Sequence, residues 1–156
     1  LKDNRLFYKE SVFVGYRYYD REDTPDALFP FGHGLSYTSF EYSSLQCPAR
    51  VGVEDSFDVS LSVKNSGTRA GAEVIQLYIG DTDCYIPRPV KELKGFTKVF
   101  LQAGEEKTVT LTVHPEDLRY YDPVVRDWKA DPGTFTVFLG SSSKDIRLQG
   151  TFALEE

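Results

Sequence analysis

From about residue 56 onward, apolar and polar side chains take turns along the chain. Phe57, Val59, Leu61 and Val63 share one face of residues 56–65, with Asp58, Ser60, Ser62 and Lys64 on the other. A period of two marks a strand with one buried and one wet face. Residues 107–113 repeat the pattern, with Val109, Leu111 and Val113 inward and three threonines outward. Residues 72–80 are more continuously apolar (Val74, Ile75, Leu77, Tyr78, Ile79), which predicts a central strand covered on both sides. Residues 90–101 are extended, with a bulge expected at Gly95. Strands over 134–140, 147–154 and 35–45 bring the total to seven.

Ser66-Gly67-Thr68, Ala103-Gly104-Glu105, Ala130-Asp131-Pro132-Gly133 and the run 141–145 supply turn chemistry between these stretches. Seven short alternating strands in about 115 residues predict an all-β, two-sheet sandwich of fibronectin-III or immunoglobulin type. Its expected core is Phe57, Val59, Leu61, Val63, Val109, Leu111, Val113, Phe135, Val137 and Leu139. Phe138 competes for the inward face of its strand.

The first 34 residues do not fit that pattern. They carry eight aromatics: Phe7, Tyr8, Phe13, Tyr16, Tyr18, Tyr19, Phe29 and Phe31. The stretch is too short to bury those rings in a core of its own. Each ring presents roughly 150–250 Å² that is driven out of water, and large apolar patches are rarely left exposed. The expectation is a partner domain on which this arm packs, with Phe13, Tyr16, Tyr18, Tyr19, Phe29 and Phe31 forming the interdomain contact. In Phe29-Pro30-Phe31-Gly32-His33-Gly34, Pro30 fixes a dihedral and the two glycines permit left-handed turns. The text reads as a joint. The chain starts at Leu1 and holds no Met, so a piece of a longer protein is expected.

Composition narrows the field. The net charge is −6 and the basic residues are scattered, which argues against nucleic acid as a partner. No apolar run approaches the length of a spanning helix, so no membrane role is expected. Cys47 and Cys84 are the only cysteines and are read as unpaired thiols. With no Asn-x-Ser/Thr site either, the compartment stays open.

Candidate chemistry is sparse. Glu54/Asp55, Asp81/Asp83, Glu105/Glu106, Glu116/Asp117 and Glu155/Glu156 nearly all fall at turns or the terminus. Tuning a carboxyl into an acid catalyst needs burial or a close like charge, which adjacency on a loop does not give. Asp81-Thr82-Asp83 lacks the Gly and distal Glu of a calcium loop. His33 and His114 are far apart in the chain and have no Cys or Ser partner close by in sequence. No metal, cofactor or catalytic residue is therefore assigned. Tyr120-Tyr121 and Trp128 could form a sugar-stacking platform; the preferred reading is that residues 118–121 cover one end of the sandwich, as a tyrosine corner does, with Trp128 packed beneath. Pro87 and Pro89 are read as protecting an edge strand.

Two phrases carry a family resemblance. One is Val12-Phe13-Val14-Gly15-Tyr16-Arg17-Tyr18-Tyr19-Asp20, followed by Phe29-Pro30-Phe31-Gly32-His33-Gly34-Leu35-Ser36-Tyr37-Thr38-Ser39-Phe40. It resembles the junction between the α/β sandwich domain and the fibronectin-III-like domain of glycoside hydrolase family 3, the β-glucosidases and their relatives. The other, Arg88-Pro89-Val90-Lys91-Glu92-Leu93-Lys94-Gly95-Phe96, is similar to that family's fibronectin-III-like domain. Gly133-Thr134-Phe135 and the run 139–143 are similar to its closing strands.

The resemblance implies residues 1–35 as the tail of an upstream α/β domain plus the joint, and residues 36–156 as the fibronectin-III-like domain. It implies a parent enzyme that hydrolyses terminal β-D-glucosyl residues with retention, using two carboxyls about 5–5.5 Å apart. The family's nucleophile Asp and acid/base Glu lie upstream of these residues, so the expected role is a non-catalytic brace. Its partners would be the catalytic barrel and α/β domain of the same enzyme, which takes a β-linked oligosaccharide or glycoside. The alternatives are an autonomous carbohydrate-binding or adhesion module, a small enzyme with an unrecognised site, or a β-xylosidase as parent.

Overall fold

A computed structural model describes residues 9–156, so Phe7 and Tyr8 lie outside the described residues. Ten strands and two single-turn helices follow in the order α1 (Tyr16–Tyr19), β1 (Phe40–Gln46), β2 (Arg50–Gly52), β3 (Phe57–Asn65), β4 (Gly71–Asp81), β5 (Glu92–Leu101), β6 (Glu106–Val113), α2 (Pro115–Leu118), β7 (Tyr120–Asp122), β8 (Asp127–Lys129), β9 (Gly133–Gly140) and β10 (Ile146–Glu155). One sheet runs β1-β3-β6 and the other β2-β10-β9-β4-β5, while β7 and β8 form a separate hairpin.

The core lies between the two large sheets, and alternation builds it. All ten residues expected inside are buried, joined by Ile75, Leu77, Ile79, Leu101, Phe152 and Leu154. Phe135 stacks on Phe152 with centroids 5.4 Å apart, within the roughly 4.5–7 Å range favoured by aromatic pairs. Phe138 is only half-buried, because Val137 and Leu139 hold the inward positions of β9.

The other face of the five-stranded sheet is covered only around Gln76 and Tyr78, so β4 is buried on both sides there, whereas Val74, Phe96 and Phe100 on that face are exposed. Tyr78 is fully buried and Gln76 nearly so, beneath the N-terminal arm. The expected bulge falls on β5: Leu77 faces Gly95 and Tyr78 faces Leu93, leaving Lys94 as the extra residue. β5 is the edge strand of its sheet, and Pro87 and Pro89 precede it.

Three expectations need correction. Residues 35–39 are not strand, and β1 begins at Phe40. Phe40 pairs with Asn65, the last residue of β3, so the residues before it have no strand opposite; Ser39 meets the following turn instead, its carbonyl accepting from the Ser66 N–H at 2.9 Å. Asn65 itself is buried and fully engaged, accepting from Thr38 Oγ1 and the Gly67 N–H and donating to the carbonyls of Arg69 and Leu101. Among the described residues the strand count is ten rather than seven, the additions being the three-residue β2, β7 and β8. Trp128 is not packed beneath the sandwich end: it is 63 % exposed, whereas Leu118 and Tyr120 are buried.

Candidate functional site

The arm folds back on the sandwich, and the two phrases singled out in the sequence meet there. Gly15 (φ 60°) turns the chain into α1, which lies along the start of β5. The Leu93 N–H donates to the Tyr16 hydroxyl oxygen at 2.7 Å. The Tyr16 ring stacks on Phe31 at 5.0 Å and meets Tyr78 edge-on at 5.9 Å. Arg17 pairs with Glu92 at 3.1 Å. Asp20, the C-cap of α1, takes a 2.6 Å bond from Lys91 Nζ.

Further along, the Ser143 N–H donates to the Phe31 carbonyl at 2.8 Å. Gly32 adopts φ 82°, a left-handed conformation, directly over the Gln76 side chain, and a Cβ there would overlap the Gln76 amide. Gly34 does not use a left-handed conformation.

Charge reinforces this seam. Arg88 bridges Asp81 at 2.9 Å and Glu92 at 3.0 Å, all three groups being largely buried. Burial pulls the Glu92 carboxyl upward, but Lys94, Arg88 and Arg17 outweigh it and hold the pKa below its usual value. Burial pushes the Lys94 ammonium down, with Glu92 opposing. These groups hold one another in place: Arg17, Arg88, Glu92 and Lys94 line a 350 Å³ cleft, but each is tied into the ion-pair cluster, and Glu92 is held in its charged form by three cations.

Six residues were expected to form the interdomain contact, and the structure divides them. Tyr16 is engaged on the sandwich, Phe31 partly so, and Phe13 lies under Arg21 at 5.2 Å. Tyr18 and Tyr19 pack edge-to-face on each other at 5.3 Å and remain exposed. Phe29 is 69 % exposed and Leu35 95 % exposed, with Leu28 and Tyr37 open as well. Sequence reasoning missed Asp20, Lys91, Arg17 and Glu92 as a seam. The signal was present in both phrases, but their pairing across 71 positions is not legible from one sequence.

Several of the remaining candidates are occupied by structural work. Arg119 grips Glu54 with 2.8 and 3.0 Å bonds. Asp83 accepts from the Thr134 N–H, and Asp81 from Arg88 and the Asp83 N–H. His114 caps α2 and its Nδ1 lies 3.2 Å from Ser56 Oγ. His33 is exposed beside Phe29, at the rim of a 340 Å³ cleft that also includes Phe40, Glu73, Asp145 and Arg147. Burial pushes the Glu73 carboxyl up, while a 2.9 Å bond from the Tyr42 hydroxyl and the charge of Arg147 oppose it. Cys47 and Cys84 are both free thiols. Among the described residues no helix is long and apolar enough to cross a membrane.

Residues 73–143 match the model of the fibronectin type III-like domain. The chain is 50 % identical over 149 residues to thermostable beta-glucosidase B of Acetivibrio thermocellus, which covers 95 % of the chain and 20 % of that protein. Beta-glucosidase BoGH3A of Bacteroides ovatus is 51 % identical with the same coverage. Among solved structures, beta-glucosidase 3B of Thermotoga neapolitana superposes with a TM-score of 0.87 and 39 % identity, covering 96 % of this chain and 20 % of that one. The chain thus spans about a fifth of the length of these relatives. With the sandwich and the matched arm alike, it belongs to glycoside hydrolase family 3, corresponding to the C-terminal fibronectin-III-like region of its β-glucosidases.

Proposed function

We propose that this chain is the non-catalytic brace of a family 3 β-glucosidase, in which residues 36–156 form the supporting domain and residues 1–35 the joint to the catalytic domains. The enzyme it serves would hydrolyse terminal β-D-glucosyl residues with retention, on carboxyls contributed by those other domains. One observation carries the reading. The arm is fastened to the sandwich by Tyr16, Asp20 and Phe31, yet holds Leu28, Phe29, Leu35 and Tyr37 out into solvent. Fastening a segment costs conformational entropy, and a segment ordered so as to present apolar side chains outward is suited to receive a partner. Tyr19 lines a cleft with Phe29, and the exposed Tyr18 packs on Tyr19. An autonomous sugar-binding module would have no use for such an arm.

Assaying the purified chain on an aryl β-glucoside tests the reading. Positioned acid and base groups each contribute about 10²–10⁴-fold, so only background hydrolysis is expected. Activity that disappeared on substituting any residue of the chain would overturn it.

A further inference from the structure

Beyond the arm, the β7–β8 hairpin offers a surface of a different kind. Strands of three residues make a hairpin that is marginal by itself, so its anchoring is informative. The inward side is locked by polar contacts: buried Asp122 accepts from the Tyr85 hydroxyl, from Lys129 Nζ at 3.1 Å and from the Val124 N–H at 2.8 Å. Buried Tyr120 donates to Asp131. The outward side is apolar. Tyr121 and Trp128 are directly paired across the strands, edge-on at 5.9 Å, and the turn exposes Val124 and Val125. The hairpin thus presents two packed aromatic rings, and at its turn two valines, to solvent on an anchored support.

Its position says what it meets. Tyr121 and Trp128 line a 350 Å³ cleft with Val12, Arg17, Pro87 and Arg88. Val12 and Arg17 belong to the arm, so the polypeptide leading into α1 passes beside the hairpin. The matched relatives are about five times the length of this chain. We infer that the Tyr121–Trp128 face is a second docking surface, separate from the Phe29–Leu35 surface, and that its occupant is the region of the same polypeptide that precedes the arm. A partner tethered a few residues away is present at high effective concentration, so even a small apolar contact becomes occupied. The two surfaces would then grip the partner on both sides of α1. This rests on the proposed bracing role and names a second place where the brace is applied.

Hydroxyl-radical footprinting of Trp128, in this chain and in the full-length enzyme carrying it, each with and without cellobiose, tests the assignment. The expected result is rapid oxidation in the chain and several-fold slower oxidation in the enzyme, whether or not sugar is present. Equal reactivity in both proteins would overturn it. Protection that appears only on adding cellobiose would also overturn it and make the pair a sugar platform instead. Because the probe is Trp128 itself, protection there stands even if Phe29 and Leu35 prove irrelevant, and loss of protection leaves the assay of catalytic silence untouched.

Discussion

Lys91 Nζ lies 2.6 Å from Asp20 Oδ2, and the two side chains are only 8 % and 2 % exposed. Asp20 belongs to the arm and Lys91 to the lead into β5, so this ion pair is the most buried charged tie between them, beside the Arg17–Glu92 pair. The second Asp20 oxygen is buried without a hydrogen bond among the described residues, and Lys144 stands 3.9 Å from it. Removing one member of a buried pair costs about 3–5 kcal/mol, because the other is left uncompensated. Asp20→Ala and Lys91→Ala are each expected to fall in that range by urea unfolding. The double substitution should cost clearly less than the sum of the two. Additive losses would mean that the two groups do not depend on each other.

Gly32 tests the same seam through sterics. Its left-handed φ costs a non-glycine residue roughly 1–2 kcal/mol. An added Cβ would also have to displace Gln76, whose amide is tied to the Ser141 carbonyl at 2.6 Å and to the Tyr78 hydroxyl. Gly32→Ala should therefore lower the thermal midpoint, whereas Gly34→Ala, at a position with open space around it, should leave it nearly unchanged.

Acid stability should report the base of the hairpin. The hydrogen bond from Tyr85, with help from the Val124 N–H and Lys129, holds the Asp122 carboxyl down to about 2 from 3.8. A depressed carboxylate contributes stability that is fully present above its unfolded pKa and is lost as pH falls through the folded one. The contribution should persist above about pH 4 and disappear between 3.8 and about 2. Tyr85→Phe removes the largest cause, so its urea midpoint should depend less steeply on pH within that window. An unchanged slope would contradict the assignment.

The sandwich was legible because its long strands alternate: β3 and β6 each bury the apolar set on one face against the other sheet. Leu35 and Tyr37 also alternate, but β3 ends at Asn65 and leaves them no strand to pair with, so both point into water. β7 and β8 escaped notice because three residues give no period. Trp128 was misplaced for the same reason: without the Tyr121 pairing, nothing in the text says which side of a hairpin it occupies. The aromatic density of the arm was visible. Its division into a fastened set and an open set was not, since that depends on Lys91, Leu93 and Ser143, far along the chain.

The bracing role is tested most directly by urea unfolding of Phe29→Ala/Leu35→Ala in this chain and in the full-length enzyme. Both side chains are largely exposed here, so the double variant of the chain should stay within about 0.5 kcal/mol of the parent, as exposed substitutions do. Burial of each against a partner domain is worth roughly 1.5–3 kcal/mol, so the enzyme should lose about 3 kcal/mol or more. A full-length enzyme that unfolds unchanged would contradict the bracing role and leave those side chains as ordinary surface.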